Sequence, residues 1–490
     1  MHLVFAAAEF APLCQSGGLG DAVSGLAHAL VDKGHHVTCL IPGYRDVFRR
    51  GLFSNRQSDD EAVEISDIEG LMLGHWKKEQ RSDSLEVFAL DIPSLFDREG
   101  LYGNEEGGFH DNAIRFLTFS RAVAQWAITH RPDVLVAHDH HAAMSLCYLD
   151  GTTNGQHHSI GRVQVVHNNA YQGRYPSDVM RWTALPQHYF QPSFIEAYGS
   201  VCFLKGGLNW ADRIITVSPS YGREIQTHVA GEGLEGLYQE KKDRLSGIAN
   251  GIDTKRFDPM TDTSLVANYN ASDASGKSVC RQWILNEQNL MEPPLGQFCI
   301  AIGRLAAQKG WDVLLDAIPM LVDKGFVLSC LGDGDPMLAK RLTDYSNNFP
   351  HQIKFIKGFN DALARQLYAG ADAMLIPSVF EPCGLVQMIA QRYGTLPVAS
   401  AVGGLQDTIA DIRDDNGIID QKTTSGVLFS PVDAASLVQA CDRLGELPAP
   451  LWLNLQKRLM NIDVSWGRSA DAWDRVLREV AVKHDPDSHD

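Results

Sequence analysis

The sequence predicts an α/β protein made of two doubly wound domains. Its 490 residues are enough for two domains of ordinary size, each with its own core. Short apolar runs alternate with longer amphipathic runs, and the alternation pauses in a polar stretch after Pro259 before it resumes near residue 297. Because the short runs are continuously apolar, they indicate parallel strands covered on both faces. We therefore expect two parallel sheets, joined near residues 245–260, with an active site in the cleft between the domains.

In the first half of the chain, six apolar runs are typical of strands. They lie at 3–9, 36–42, 84–92, 133–139, 162–168 and 213–218. Amphipathic spacing predicts helices between them at 20–34, where Gly34 marks the end, and at 111–130. The same pattern returns in the second half, with strands expected at 297–305, 326–334, 353–359, 371–378 and 395–402 and a helix beginning near Leu385.

The overall charge and the cysteines narrow the class of protein. A net charge of −17 argues against a general nucleic-acid binder or a protein of anionic membrane surfaces, because it repels phosphate polymers. The nine cysteines are scattered, without a CxxC pair, which favours a reducing compartment. No apolar run approaches the roughly 18 residues of a membrane span. The apolar N-terminal run lacks a basic flank and stops at Glu9, so we expect the first strand of a cytoplasmic protein.

A glycine-rich loop, QSGGLGD at 15–21, follows the first predicted strand and precedes a helix. Gly17 and Gly18 allow the backbone to approach a ligand, and the helix start offers N–H groups suited to a diphosphate. The spacing is neither GxGxxG nor GxxxxGK[ST], which weakens dinucleotide and ATP-hydrolase interpretations. The loop also lacks a cation. By itself, the GG pair is equally consistent with an ordinary turn.

Two cations follow the first strand of the second half, in IGRLAAQKGW. Arg304 and Lys309 lie between a strand and an amphipathic helix, where both can neutralise a leaving phosphate. Either residue taken alone is also consistent with an ordinary surface cation.

A carboxylate follows a later strand, in PSVFEPCGL. Glu381 can bind sugar hydroxyls or oppose a positive sugar carbon, with Pro382 and Gly384 shaping the turn. The alternative is an acid that merely favours a helix N-terminus. A second glycine pair, Gly403 and Gly404, precedes the next helix.

Histidines cluster at the carboxyl end of another predicted strand, in VAHDHHAAM. His138, His140 and His141 form no recognisable zinc or iron pattern, so we predict no metal site. Asp139 is placed to orient a substrate hydroxyl. His167 follows the next strand and is either a ligand contact or a hydrogen-bonded core residue.

Taken in order, these motifs resemble the bacterial glycogen synthase and plant starch synthase family, nearly end to end. The segments that carry the resemblance are EFAPLCQSGGLGD, AHDHH, VHNNAYQG, GIANGID, IGRLAAQKG, FEPCGLVQM, YGTLPVAS and VGGLQDT. The resemblance implies a GT-B fold, with two Rossmann-like domains facing across a deep cleft. It divides the chain into an N-terminal acceptor-side domain (1–245), a nucleotide-sugar domain (246–463), and a C-terminal helix with tail (464–490) that returns to the first domain.

The resemblance also implies an activity, the retaining transfer of glucose from ADP-glucose to the non-reducing 4-OH of an α-1,4-glucan. The partners would be the sugar nucleotide and the glucan, without nucleic acid or membrane, and no cofactor or metal would be needed. The family assigns roles to individual positions. The leaving diphosphate contacts Arg304, Lys309, Gly17, Gly18, Gly403 and Gly404; the donor sugar contacts Glu381, Asp139 and His167; the pocket also includes Asp21, Asn250, Cys383, Gly384 and Leu385.

Two positions depart from the family pattern. The family loop usually reads Lys-x-Gly-Gly-Leu, and the lysine position holds Gln15 here; the family usually has Trp where this chain has His140. Loss of one charge-assisted contact can slow turnover by about a hundredfold. The departures leave two alternatives open: a related transferase that uses UDP-glucose or another acceptor, or a weakly active glucan-binding scaffold.

Overall fold

The computed structural model describes residues 1–49, 53, 60–68, 70–104, 107–151, 159–294, 297–412, 423–445 and 447–483. The chain divides into two units. Unit 1 comprises Met1–Val217, Gly222–Asn250 and the chain from Trp466 onward, and unit 2 comprises Ser218–Tyr221 and Gly251–Ser465. Each unit is built on its own mainly parallel sheet.

The strands of unit 1 form one large sheet and two small ones. Nine strands make the large sheet, in the order β14-β13-β9-β8-β1-β2-β5-β4-β3. It is parallel from β14 to β5 and ends in the antiparallel β3–β4 hairpin. The strands are β1 (His2–Ala6), β2 (His36–Pro42), β3 (Glu61–Asp67), β4 (Gly70–Ser82), β5 (Leu85–Asp91), β6 (Gly103–Asn104), β7 (Gly107–Gly108), β8 (Val134–His138), β9 (Gly161–Val166), β10 (Arg174–Pro176), β11 (Glu196–Ala197), β12 (Ser200–Cys202), β13 (Arg213–Thr216) and β14 (Leu245–Gly247).

All six strands predicted in this half are present, and the 36–42 run has the predicted bounds. Sequence reasoning missed the hairpin, because β4 carries Lys, Glu and Gln side chains and lacks a continuous apolar run. The helices are α1 (Gly18–Asp32), α2 (Arg45–Arg49), α3 (Pro93–Phe96), α4 (Asn112–His130), α5 (Asp139–Gly151), α6 (Phe203–Trp210), α7 (Pro219–Glu224), α8 (His228–Gly231) and α9 (Glu235–Glu240). The two predicted helices correspond to α1 and α4.

Unit 2 contains a six-stranded parallel sheet in the order β17-β16-β15-β18-β19-β20. Its strands are β15 (Phe298–Ile302), β16 (Val327–Gly332), β17 (Ile353–Lys357), β18 (Ala373–Ile376), β19 (Leu396–Ser400) and β20 (Val427–Phe429). Its helices are α10 (Ser275–Glu287), α11 (Trp311–Asp323), α12 (Pro336–Asn348), α13 (Asp361–Gly370), α14 (Val386–Arg392), α15 (Gly403–Thr408), α16 (Ala434–Gly445) and α17 (Ala449–Met460). The five predicted strands are confirmed; the three-residue β20 was missed because so short a run carries no pattern.

Each sheet has one point where the order of its strands reverses. In unit 1 the chain runs from β1 outward to β2 and β5 and then returns to β8 on the other side of β1. In unit 2 it runs from β15 to β16 and β17 and returns to β18. The loops diverge at such a reversal and leave a crevice at the carboxyl ends of the strands, which is where ligands bind in doubly wound sheets.

The last described helix, α18 (Trp466–Lys483), packs in unit 1 against α1. Gly25 of α1 makes room for it, because a Cβ there would lie 2.0 Å from Nε1 of Trp466. Lys33 forms an ion pair with Asp471, and Nε2 of His35 lies 2.7 Å from Asp474. The predicted tail after this helix, 484–490, lies outside the described residues. Among the described helices, none combines the length and the hydrophobicity that crossing a bilayer requires.

Candidate active site

A lysine–carboxylate pair lies at the strand-order reversal of unit 2. Lys309 follows β15 and Glu381 follows β18, and Nζ of Lys309 lies 2.6 Å from Oε2 of Glu381. Glu381 is only 5% exposed, and the hydroxyl of Ser378 donates to the same oxygen at 3.0 Å. The structure therefore brings together two residues that are 72 positions apart and that the sequence selected independently.

The loop after β15 is fastened to the loop after β18. Gly310 adopts a left-handed conformation (φ +66°), and a Cβ there would lie 1.8 Å from the carbonyl oxygen of Pro377. The carbonyl of Gln308 accepts from the N–H of Val379 at 3.0 Å, and its side-chain amide donates to the carbonyl of Phe380 at 3.1 Å. These contacts fix where Lys309 stands relative to Glu381. Sequence reasoning missed Gln308, because its local sequence pattern does not indicate a hydrogen bond to a residue 72 positions away.

Arg304 provides a second cation after β15. Its carbonyl accepts from Nε1 of Trp311 at 2.9 Å, which holds the backbone at the start of α11. The residue is exposed, and within the described part of the chain its guanidinium has neither an ion-pair nor a hydrogen-bond partner. Its five donors are therefore open to an anionic ligand.

The second glycine pair packs against the Glu381 loop. The N–H of Gly404 donates to the carbonyl of Glu381 at 2.9 Å, and a Cβ on Gly404 would lie 2.4 Å from Cα of Cys383. This N–H, expected to face a phosphate, is thus bonded within the protein. The amide of Gln387 donates to the carbonyls of Cys383 (3.0 Å) and Gly384 (2.9 Å) and holds the turn before Leu385. The pair therefore shapes the turn that carries Glu381.

In unit 1, the glycine-rich loop is tied to a buried carboxylate that sequence reasoning did not select. Glu9 is 3% exposed and accepts from the N–H of Ser16 at 2.9 Å and the N–H of Gly17 at 3.4 Å. It also accepts from the hydroxyls of Ser16 and Tyr102, both at 2.7 Å. The N–H of Gly17, in the loop expected to hold a phosphate, thus points at a carboxylate, as does that of Ser16. The available signal was a charged residue at the end of the first predicted apolar run.

The rest of the loop carries acid and amide groups. Nε2 of Gln15 donates to Oδ2 of Asp21 at 2.7 Å. Gly17 has extended backbone, and a Cβ there would meet nothing within 4 Å, so this side of the loop is open. Gly18 begins α1. Asn250 lies partly buried shortly after β14, with no side-chain hydrogen bond to the described residues.

Asp139 lies at the carboxyl end of β8, beside β1, with the left-handed φ of +56°. Its Oδ1 accepts from the N–H of His167 at 2.7 Å and from that of Asn168 at 3.4 Å, so it orders the segment after β9. The pKa of Asp139 is raised to about 7, chiefly by burial; the two backbone hydrogen bonds oppose this rise, and the nearby charge of Glu9 adds to it. The two predicted residues, Asp139 and His167, thus lie together at the carboxyl ends of the neighbouring strands β8 and β9.

Four histidines lie next to Asp139 in the sequence or follow the neighbouring strand β9: His138, His140, His141 and His167. Burial lowers the pKa of all four, to about 4 for His140 and about 3 for His167, so each ring is neutral at physiological pH. Nδ1 of His138 lies 2.9 Å from Nε2 of His167, and Nδ1 of His140 lies 2.9 Å from the carbonyl of Tyr171. Among the described residues, no group of three or more His, Cys, Asp or Glu is arranged to hold a metal ion.

A pocket of about 450 Å³ adjoins the imidazoles in unit 1. It is lined by His140, the segment 170–175 and Glu232. Tyr171 is half-exposed there, while Arg174 donates to Gln172 and to the carbonyl of Glu232, both at 2.7 Å. Its size is that of a small-molecule site, and its lining combines aromatic rings with fixed polar groups.

Comparison with known proteins gives one consistent family. The model of the starch synthase catalytic domain matches residues 2–240, and that of the glycosyl transferases group 1 matches residues 296–446. The glycogen synthase of Rhodopseudomonas palustris (strain HaA2) is 38% identical over 487 residues, covering 97% of this chain and 98% of the relative. Glycogen synthase 2 of Rhizobium meliloti (strain 1021) is 36% identical and covers 98% of both chains.

Solved structures support the same assignment. The catalytic domain of starch synthase IV from Arabidopsis thaliana, solved with ADP and acarbose bound, superposes with a TM-score of 0.87 at 29% identity, covering 98% of this chain and 99% of that one. Sucrose-phosphate synthase from Thermosynechococcus elongatus shares the fold, with a TM-score of 0.60 at 18% identity and 98% coverage of both chains. The chain therefore belongs to the glycogen synthase and starch synthase family of glycosyltransferases and has the GT-B fold.

Proposed function

We propose that the protein transfers glucose from ADP-glucose to the non-reducing 4-OH of an α-1,4-glucan, with retention of configuration. The observation that carries the proposal is the Lys309–Glu381 pair, 2.6 Å apart at the strand-order reversal of unit 2, with Arg304 on the Lys309 loop as a cation that has no partner among the described residues. A sugar nucleotide offers a diphosphate to the cations and hydroxyls to the carboxylate. Two adjoining loops of unit 2 thus contain groups suited to both halves of the donor.

The choice of substrates has further support. The starch synthase IV domain was solved with ADP and acarbose, and it is similar to this chain over nearly the full length. The pocket beside His140 suits a saccharide, because the half-exposed ring of Tyr171 offers an apolar face and Arg174 offers fixed donors. We propose that the acceptor glucan binds there, and that His140, in place of the family's Trp, alters which saccharides fit.

The proposed reaction proceeds on one face of the sugar. The bond between the anomeric carbon and the diphosphate oxygen breaks, and the acceptor 4-oxygen forms its bond to that carbon from the same side. The departing diphosphate oxygen takes the acceptor's proton, so no pair of flanking carboxylates is needed as in glycosidases. Arg304 and Lys309 neutralise the charge that develops on the diphosphate, which makes a metal or other cofactor unnecessary.

The remaining groups orient the donor. Glu381 holds Lys309 by its ion pair and lies beside the donor sugar, and Cys383, Gly384 and Leu385 form the turn around it. In unit 1, the carbonyl of His167 faces the anomeric carbon, since Asp139 fixes the His167 backbone. Gln15, Gly17, Gly18, Asp21 and Asn250 are further proposed donor contacts of unit 1, and in unit 2 Gly403 and Gly404 support the Glu381 turn.

We further propose that the protein acts in the cytoplasm. All nine cysteines are buried free thiols, as expected in a reducing compartment.

Radiolabel transfer tests the proposed function. Purified full-length protein is incubated with labelled ADP-glucose or UDP-glucose and with glycogen or maltooligosaccharides, and label in the polymer is counted. We expect label from ADP-glucose to enter the polymer. An enzyme that hydrolyses α-1,4 bonds should then release that label. Incorporation from UDP-glucose alone would replace the proposal with a related transferase. Absence of incorporation from either donor, with glucan binding retained, would identify a binding scaffold instead.

A further inference from the structure

His138 is a buried imidazole to which the proposed reaction gives no role. It ends β8, is fully buried, and packs its ring against Phe5 with ring centres 5.1 Å apart. Its Nδ1 lies 2.9 Å from Nε2 of His167, and the two rings are tilted by 31°. The Nε2 of His138 is buried and has no hydrogen-bond partner among the described residues. Within the described residues, Nδ1 of His138 therefore contacts His167, and Nε2 has no partner.

One proton lies in the contact between the two rings. Burial lowers the pKa of both rings well below the usual histidine value, so each imidazole is neutral and carries one N–H. Across the N···N contact one nitrogen must donate and the other accept. Two arrangements satisfy this condition, and they differ in which ring gives the proton.

The unpartnered Nε2 of His138 decides between the two arrangements. If His167 donated, His138 would carry its own proton on Nε2 and bury an N–H without an acceptor. If His138 donates from Nδ1, its Nε2 carries a lone pair, and the group left without a partner is an acceptor rather than an N–H. Unpaired buried N–H groups are rare in proteins, while under-used acceptors are more common. The second arrangement is therefore favoured.

We infer that His138 is a positioning residue: its Nδ1–H donates to Nε2 of His167 and thereby obliges His167 to present an Nδ1–H donor to the substrate. Nδ1 of His167 has no partner within the described part of the chain, and the residue is only partly buried, with its backbone N–H bonded to Asp139. The group that His167 contacts must consequently be an acceptor, such as a sugar hydroxyl oxygen. The inference rests on the proposed function, because it takes His167 as a contact of the donor sugar.

The tautomer can be measured without substrate. Full-length protein labelled with ¹⁵N in its histidine rings gives long-range ¹H–¹⁵N correlations that separate protonated from unprotonated nitrogens, and His167→Gln identifies the His167 signals. We expect a protonated Nδ1 and a bare Nε2 on His167. A protonated Nε2 on His167 overturns the inference, whether or not the protein transfers glucose.

Two substitutions at position 138 extend the test to catalysis. His138→Leu removes the donor; we expect mixed tautomers of His167 and a kcat/KM for the sugar nucleotide that falls about tenfold, the loss of one neutral hydrogen bond. His138→Asn keeps an N–H near the Nδ1 position, so it should preserve the His167 tautomer and restore kcat/KM to within about threefold of the wild type.

Phe5→Leu is the matched control, since it weakens packing on the same ring and leaves the N–H···N bond in place. It should lower stability without altering the His167 tautomer. A His138→Leu protein that keeps the tautomer and the rate contradicts the inference. If His138→Leu does not fold, the wild-type spectrum and the His138→Asn protein decide. Transfer that is absent from every donor refutes the proposed function, and the spectra still decide the imidazole pairing.

Discussion

The strand-order reversals of the two units have the same topology but opposite electrostatics. In unit 2 the reversal between β15 and β18 carries Arg304 and the Lys309–Glu381 pair. In unit 1 the reversal between β1 and β8 carries buried acids, with Glu9 bonded to the glycine-rich loop and Asp139 at the strand end, and neutral imidazoles at positions 138, 140, 141 and 167. The glycine-rich loop has no cation at position 15, where Gln15 donates to Asp21.

The difference indicates a division of labour. A diphosphate is stabilised by cations, and neutral hydroxyls are oriented by neutral donors and by acceptors. The reversal of unit 2 therefore has the cations that suit the leaving group, together with the Glu381 carboxylate for the sugar, while the reversal of unit 1 has imidazoles and acids that suit sugar hydroxyls. The loop 15–21 of unit 1 contributes no cation to this division, since its charged side chain is Asp21.

The strongest test of the comparison removes the cations of unit 2. Lys309→Ala and Arg304→Ala should each lower kcat by about 100- to 1,000-fold, because each removes charge stabilisation from the transition state. Lys309→Ala should be the more severe, since it also leaves the buried Glu381 unpaired. Lys324→Ala is the control, because Lys324 pairs with Asp442 at 3.0 Å on the surface of the same unit. Steady-state kinetics that show only a change in KM would contradict the assignment.

Neutralising the carboxylate of unit 2 should have the next largest effect. Glu381→Gln keeps an acceptor for Ser378 and Lys309 but loses the negative charge, so kcat should fall about 10- to 100-fold with little change in thermal stability. Glu292→Gln is the matched control, because Glu292 is an exposed carboxylate that pairs with Arg281. An unchanged kcat in Glu381→Gln would exclude a charged role for this residue.

The buried acid of unit 1 should make stability depend on pH. The folded-state pKa of Asp139 is raised to about 7, above the ordinary value of 3.8, so the folded protein binds this proton more tightly than the unfolded chain. This contribution is largest below about pH 4 and is lost as pH rises through about 7. The loss between about pH 5 and pH 7 should be about 2 kcal/mol.

Asp139→Asn should abolish that loss while keeping an acceptor for the N–H of His167. Denaturant titrations at a series of pH values measure it, and Asp97→Asn, an exposed acid paired with Arg45, should retain the wild-type dependence. Identical pH profiles for Asp139→Asn and the wild type would show that Asp139 does not titrate in this range.

The smallest expected effect comes from returning a cation to unit 1. Gln15→Lys places an ammonium beside Asp21, where the ion pair limits its free charge, so kcat/KM for the sugar nucleotide should rise only about two- to fivefold. Gln125→Lys adds the same charge to an exposed site on α4 and should have no effect. Equal rates for the two variants would show that the loop does not need a cation.

Sequence reasoning located both sheets and the strand ends at which the candidate residues lie. It succeeded because apolar runs of five to seven residues, such as β2 and β16, are visible locally, and motif residues follow them directly. It missed the long-range hydrogen bonds that hold these residues in place. The bond from Tyr102 to Glu9 joins residues 93 apart, and Gln387 and Gln308 act through backbone carbonyls that carry no sequence signature. The β3–β4 hairpin was missed because Lys, Glu and Gln interrupt the apolar residues of β4, which leaves no continuous apolar run.

The packing of α18 on α1 has a consequence for biosynthesis. The first 250 residues leave the ribosome long before the helix that covers Gly25 and pairs with Lys33 and His35. At about 5–20 residues per second, that face of α1 waits roughly 10–50 s for its partner while unit 2 is being synthesised. Unit 2 is in effect an insertion within unit 1, so the first unit to be started is the last to be finished. Nascent chains stalled before Trp466 should therefore be the species that chaperones bind.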